Sequence, residues 1–393
     1  MKIENITSLI LVVDDEPDLE QLILQKFRKQ IKNNRYSFLF AENGADALEI
    51  IMKNLSINLI LTDINMPVMD GLTLLSELNA LDNRLLKSVI ISAYGDMENI
   101  RTAMNRGAYD FITKPINLKD LEITIDKSLK EIEHYKQVLS SHDKLVAIRQ
   151  ELNIANAIQT SILPKTFPAF PERKDFDIHA KMITAKEVGG DLYDFFMLDK
   201  YRLAVVIGDV SGKGIAAALL MAVSKTLLKA TAYKGIPTDS ILEEVNNILT
   251  EESPDNMFVT VFYGILDTRT GSFEYSNGGH NLPFLIYNNG EVKQLENVGG
   301  LLLGAIKDVM YESKVITLKP GESLFFYTDG ITEAFNQNEE EYHESRLVVL
   351  LSDNYSNNTI ELVDKVISNV EIFSNGVEQS DDITCLALQY LKE

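Results

Sequence analysis

Six stretches of this chain set aspartates beside apolar, β-branched runs: Val13-Asp14-Asp15, Thr62-Asp63, Gly190-Asp191, Gly208-Asp209, Thr328-Asp329 and Asp381-Asp382. Taken singly, an Asp-Gly pair is more often a turn than a ligand. Repeated at the ends of strand-like runs, carboxylates make a different case. Hard divalent cations such as magnesium and manganese take oxygen ligands, so aspartates gathered without histidine or cysteine suit them. The run Leu203–Ile207 leads into Gly208-Asp209, then Ser211-Gly212-Lys213-Gly214, then a long apolar stretch of helix formers. A Gly-Lys pair before a helix raises the question of a nucleotide-binding P-loop. That motif needs four residues between its glycines and a Ser or Thr after the lysine. Here three residues separate Gly208 from Gly212 and Gly214 follows Lys213, which excludes it.

EVGGDLYDFF, GDVSGKGIAAALLMA, FVTVFYGILD, NGGHNLPFL, FFYTDGITEAFN and SDDITCLAL, in that order, resemble the SpoIIE/RsbU branch of the PPM-type serine phosphatases. The resemblance covers most of residues 150–393 and implies a metal-dependent protein serine/threonine phosphatase. Carried over by position, the catalytic metal ligands are Asp191, Asp209, the backbone carbonyl of Val210, Asp329 and Asp381, with Asp382 an adjacent alternative. Two manganese or magnesium ions would there lower the pKa of a water for in-line attack on a phosphoserine phosphorus. No protein nucleophile is needed, in keeping with Cys385 inside an apolar strand pattern. The implied substrate is a phosphorylated STAS-type anti-sigma-factor antagonist in a partner-switching pathway. A rival of another class is a non-catalytic adaptor, a silent phosphatase fold that binds a sigma factor or anti-sigma regulator. Such a domain should have lost metal ligands, and all four aspartates are present. Gly189-Gly190-Asp191 also opens like a diguanylate cyclase hairpin, but Leu192 and Tyr193 stand where Glu and Phe would be required. His280 is open to either a local hydrogen-bonding role or a catalytic one.

The first 115 residues alternate strand and helix patterns. Strands are expected at Leu9–Val13, Tyr36–Ala41, Ile57–Thr62, Lys87–Ile91 and Tyr109–Ile112, a doubly wound α/β parallel sheet of five strands. Ligands bind such sheets at the carboxyl ends of strands, near a topological switch point. Asp14, Asp15, Asp63, Ser92 and Lys114 all stand just beyond those ends. With LTDINMPVMDG and ISA…TKP, the region resembles a CheY-like receiver domain. The resemblance makes Asp63 the phosphoacceptor, fed by a sensor histidine kinase. Asp14, Asp15, Asp63 and the carbonyl of Asn65 would bind magnesium. Ser92 and Lys114 would contact the phosphoryl group, Phe111 would be the aromatic switch, and Lys114-Pro115 would be a cis bond.

Between Pro115 and Pro164 there is neither proline nor glycine. Leu118, Leu121, Ile125, Leu129, Ile132, Tyr135, Leu139, Leu145, Ile148, Leu152 and Ala155 recur mostly at three- and four-residue steps, the stripe of a long amphipathic helix with one irregular step after Leu139. It outlasts one domain's surface, which favours a coiled coil and a parallel homodimer. Beyond it, strands are expected at 177–181, 203–207, 258–266, 272–276, 283–286, 292–295, 323–327 and 384–391, and helices at 215–232, 240–252 and 359–373. That is an α+β pattern, and the resemblance implies the PPM-type α-β-β-α sandwich. The expected organisation is a receiver domain at 1–117, a helical linker at 118–163 and a phosphatase domain at 164–393.

At 393 residues the chain is long enough for two or three domains of roughly 150 residues. Its net charge of −21 argues against binding a nucleic-acid backbone. The N-terminal stretch lacks the apolar core of a leader, and no apolar run approaches the ~20 residues of a membrane span. One cysteine allows no internal disulfide, and a cytoplasmic setting is expected.

Overall fold

A computed structural model describes residues 7–392 apart from 82, 84, 94 and 253–256. The N-terminal stretch 1–6, part of the leader reading, lies outside the described residues. The chain forms two compact units that divide between Ala147 and Ile148.

In the first unit come β1 (Ser8–Val13), α1 (Pro17–Lys26), α2 (Arg28–Lys32), β2 (Tyr36–Ala41), α3 (Gly44–Lys53), β3 (Ile57–Asp63), α4 (Gly71–Ala80), β4 (Lys87–Ala93), α5 (Met97–Asn105) and β5 (Asp110–Lys114). The sheet is all parallel in the order β2-β1-β3-β4-β5. Continuous runs such as LILVV and INLILT bury both faces of their strands, as a parallel sheet covered by helices requires. Helix starts are set locally: Asn43 Oδ1 accepts the Ala45 and Asp46 N–H groups at 3.0 Å, and Asp70 Oδ1 accepts that of Thr73 at 2.6 Å. Strand order reverses between β1 and β3, so the crevice opens where Asp14 and Asp63 emerge. β3, β4 and β5 run one to two residues past their expected ends. Asp63, Ser92 and Lys114 are therefore strand residues rather than the first residues beyond, and their backbones are fixed by the ladder.

Helix α6 runs unbroken from Leu118 to Ile162 through the irregular step. Leu121 and Ile125 are fully buried against the first sheet, and Glu122 and Asp126 pair with Lys26 and Arg35 at 2.9 and 2.8 Å. Its first third thus belongs to the receiver core instead of standing apart as a linker.

The second unit contains β6 (Phe176–Ile183), β7 (Leu192–Met197), β8 (Arg202–Val210), α7 (Ile215–Ala232), α8 (Thr238–Glu252), β9 (Val259–Asp267), β10 (Ser272–Gly278), β11 (Phe284–Ile286), β12 (Val292–Gln294), β13 (Lys314–Thr317), β14 (Ser323–Tyr327), α9 (Asp329–Thr332), α10 (His343–Asp353), α11 (Thr359–Ser374) and β15 (Ile383–Tyr390). Two antiparallel sheets, β13-β10-β9-β8-β7 and β12-β11-β14-β15-β6, pack face to face. Between them lies an aromatic-rich core that includes Phe262, Phe273, Tyr275 and Phe326. Helices α7 and α8 cover one outer face and α10 and α11 the other, giving an α-β-β-α sandwich. Helix α7 is long and apolar enough by composition to cross a bilayer, yet Met221, Leu228 and Ala232 are buried against the first of these sheets.

One polar pair lies under α7. Asp194, in β7, is buried, and its carboxylate meets Lys225 Nζ at 2.7 Å and Lys229 Nζ at 3.4 Å. Removing one partner of a buried pair strands the other charge away from water. Lys225→Met is expected to cost less than the roughly 3–5 kcal/mol of a fully orphaned charge, because Lys229 stays 3.4 Å from Asp194, and the loss is read as a lower urea midpoint for the second unit. Adding Asp194→Asn should restore much of the loss; no recovery in the double variant would contradict this account.

Candidate functional sites

In the first unit, Asp14, Glu16 and Asp63 each bring a carboxylate oxygen within 4.8 Å of the others. Lys114 Nζ lies among them, 3.1 Å from Asp14 Oδ2, 2.8 Å from Glu16 Oε1 and 3.0 Å from Asp63 Oδ2. Burial alone would lower the lysine, but bonds to Glu16, Asp63 and Asp14 outweigh it and hold the ammonium above its ordinary value. Burial also raises Asp14, against opposing bonds from the Glu16 N–H and Lys114. Three carboxylates around one ammonium match a hard divalent cation and suit the transfer of a phosphoryl group. Asp63 Oδ1 accepts the Ile64 N–H at 2.7 Å, leaving Oδ2 toward the pocket. Gly71 is required here, since a Cβ would stand 2.1 Å from the Asp63 carbonyl.

The other expected receiver residues divide. Ser92 is fully buried with Oγ 3.4 Å from Asp96 Oδ2, and Lys114-Pro115 is cis. Phe111 points outward, 38% exposed, in a groove with Met97, Ile100 and Arg101. Asn65 is exposed two residues beyond Asp63. Asp15 is exposed and lies outside the carboxylate trio, where Glu16 stands instead. The sequence carried the signal as Asp14-Asp15-Glu16; Glu16 is itself exposed and joins the trio through its bond to Lys114.

In the second unit the two sheets contribute two aspartates each. Asp191 precedes β7 and Asp209 lies near the end of β8; the pairing of Leu192 with Gly208 sets them side by side. Asp329 follows β14 and Asp381 precedes β15, which are themselves paired. Contact across the sandwich is direct: Thr328 Oγ1 donates to Asp191 Oδ2 at 2.8 Å. Asp191 is 1% exposed, and burial, then the charges of Asp209 and Asp382, push its carboxyl well up. Burial, then Asp329 and Asp381, raises Asp209; burial, then Asp381, raises Asp329. Acids that repel one another in a desolvated place lack a counter-charge. Lys213, 2.9 Å from Asp381 Oδ2, is the only ammonium paired with these four among the described residues. The donor set, all oxygen, fits magnesium or manganese.

Glycines shape the cradle. A Cβ on Gly190 would stand 2.7 Å from the Val210 carbonyl and 3.3 Å from Asp209 Oδ1, so that carbonyl and carboxylate converge where only glycine fits. Asp382 turns away from the alternative it offered as a ligand. Its Oδ1 accepts the Ala185 N–H at 2.8 Å, and its Oδ2 accepts those of Gly190 and Asp191 at 2.6 and 3.3 Å. It is a loop clamp. His280 is buried, with Nδ1 2.9 Å from Thr260 Oγ1, and burial lowers it to about 4, so it is neutral at pH 7. Cys385 is fully buried and burial pushes its thiol up, which makes it unreactive.

Two family models match: "Response regulator receiver domain" over residues 10–126 and "Stage II sporulation protein E (SpoIIE)" over residues 199–391. The chain is 28% identical over 225 residues to Phosphoserine phosphatase RsbU of Bacillus subtilis, covering 56% of this chain and 66% of the relative. It is 30% identical over 120 residues to Sporulation initiation phosphotransferase F of the same organism, covering 30% of this chain and 92% of that protein. A solved structure, the SiaA-PP2C domain of Pseudomonas aeruginosa, superposes with a TM-score of 0.56 at 20% identity, over 63% of this chain and 98% of that one, and supports the fold. The chain spans 41–66% of the length of the first curated relatives it matches. It belongs to the response-regulator receiver family through its first unit and to the SpoIIE family of PPM-type phosphatase domains through its second.

Proposed function

We propose that this chain is a response regulator in which phosphorylation of Asp63 by a sensor histidine kinase controls a metal-dependent phosphoserine protein phosphatase. The observation that carries the reading is the convergence of Asp191, Asp209, Asp329 and Asp381 from two sheets, mutually repelling and, among the described residues, with Lys213 as the one ammonium paired with them. Asp191, Asp209, the Val210 carbonyl, Asp329 and Asp381 would hold two manganese or magnesium ions. Such ions lower the pKa of water and offset phosphoryl charge. The protein's own part is to aim the ligands: Thr328 orients Asp191, and Asp382 fixes the backbone that carries it. Asp14, Glu16 and Asp63 would hold magnesium in the receiver, with Asp15 at its rim and the Asn65 carbonyl as a further ligand. Ser92 and Lys114 would take the phosphoryl oxygens, and Phe111 would report the change at its outer face.

The similarity to a relative named a phosphoserine phosphatase supports a phosphoserine substrate, and the proposed substrate is a serine-phosphorylated STAS-type anti-sigma-factor antagonist in the cytoplasm. Manganese-loaded protein should release inorganic phosphate from such a substrate, and EDTA should stop it. Manganese binding without release from any phosphoserine protein would favour the adaptor instead.

We further propose a homodimer through α6. Every residue from Lys136 to Glu151 is exposed, including Leu139, Leu145 and Ile148 at 40, 66 and 53%. An apolar stripe in water calls for a partner helix. Leu145→Glu with Ile148→Glu should halve the mass measured by light scattering. A wild-type protein already at monomer mass would refute the dimer.

A further inference from the structure

The strongest unexplained polar feature is a buried amide near the end of α6. Of residues 152–163, only Gln159 and Leu163 are buried, and Gln159 is 4% exposed. Leu163 enters the core between the sheets, as an apolar residue should. Burying a glutamine is costly unless its amide is fully paired. Here it is. Gln159 Nε2 donates to the Gly189 carbonyl at 2.7 Å, and Oε1 accepts the Gly189 N–H at 3.1 Å. One side chain thus satisfies both backbone groups of one residue, as a neighbouring strand would.

Gly189 lies two residues before Asp191. From the other side Asp382 Oδ2 holds the Gly190 and Asp191 N–H groups, and it would be only 2.0 Å from a Cβ on Gly189. The segment Gly189–Asp191 is therefore gripped between α6 and the start of β15. We propose that Gln159 is a positioning residue for the metal site, setting the backbone from which Asp191 faces Asp209. It touches no reacting group and acts only through Gly189. This rests on the reading of the four aspartates as metal ligands. It also makes the end of α6, the helix that begins in the receiver core, a direct determinant of metal affinity.

The test is calorimetric titration of the full chain with manganese chloride, in an Asp14→Ala background that removes one carboxylate of the receiver pocket. Gln159→Met keeps the side-chain volume and loses both hydrogen bonds. Its manganese dissociation constant should rise about 10- to 100-fold, the loss typical when a partner that orients a ligand is removed. Its urea midpoint should fall, since packing is kept but the buried Gly189 N–H and carbonyl lose their partner, so affinities are compared without urea, where both proteins are folded. Gln159→Glu, which retains only the acceptor for the Gly189 N–H, should fall between the two. Asn156→Ala, one turn earlier and bonded to the exposed Glu187 carbonyl, should bind manganese as wild type does. Unchanged affinity in Gln159→Met, with wild type binding, would overturn the positioning role alone. Absence of manganese binding by the wild type itself would overturn the metal-site reading and this inference with it.

Discussion

Asp209→Asn is expected to lower manganese-dependent phosphomonoester hydrolysis by roughly a thousandfold or more, equivalent to about 4 kcal/mol of transition-state stabilisation. Asp209 is the residue through which the two sheets' carboxylates meet, raised by burial and then by Asp329 and Asp381 from the opposite sheet. An amide at this position keeps shape and removes the charge that a divalent cation would need. The same change relieves repulsion in the metal-free state. The EDTA-treated variant should therefore melt no lower than wild type, separating lost chemistry from lost fold. Retained activity would remove Asp209 from the ligand set. Activity lost together with a lower melting temperature would mean that the carboxylate is structural.

Asp63→Ala should abolish the response to phosphodonor while leaving basal hydrolysis at its resting level. Asp63 Oδ2 is the oxygen turned toward Lys114 and the Asp14–Glu16 carboxylates, and no other carboxylate in that pocket ends a central strand. Beryllofluoride, which mimics the phosphorylated aspartate, should alter wild-type activity and have no effect on the variant. A variant that still responds would show that control does not pass through Asp63. Lys114→Ala should blunt the response also, since the ammonium pairs with all three acids.

How far the sequence showed these sites depended on what each residue's neighbours leave visible. Parallel strands such as β1 and β3 are apolar on both faces and stood out as unbroken runs. Asp63, Asp209 and Asp329 stand at the ends of such runs, whereas Asp191 was marked only by the resemblance of its Gly-Gly-Asp motif. Strand β7 escaped notice: LYDFFM is buried at five of its six positions, so it has no period of two, and Asp194 in its middle looks polar until Lys225 is seen to neutralise it. Helix α10 follows an acidic loop and buries only Leu347 and Leu351 in its span, one step of helical spacing and a weak stripe. The short edge strand β13 alternates half-buried and exposed residues and packs little. The exchange of Glu16 for Asp15, and of Asp382 as clamp for Asp382 as ligand, turns on side-chain direction. Adjacent acids look alike in a sequence, and only groups brought from far along the chain distinguish them, the Lys114 ammonium for Glu16 and the Ala185, Gly190 and Asp191 N–H groups for Asp382. Gln159 is the extreme case, a polar residue on a helix stripe whose partner, Gly189, is defined by tertiary structure alone.

The proposed function joins a phosphoryl-accepting receiver to a metal-dependent phosphatase that the receiver controls. It is tested most directly by hydrolysis of p-nitrophenyl phosphate by the full chain, with manganese or EDTA, and with or without beryllofluoride. On the proposed function, hydrolysis should require manganese and change in rate when beryllofluoride is added. A folded, manganese-bound protein that hydrolyses nothing in either state would contradict it.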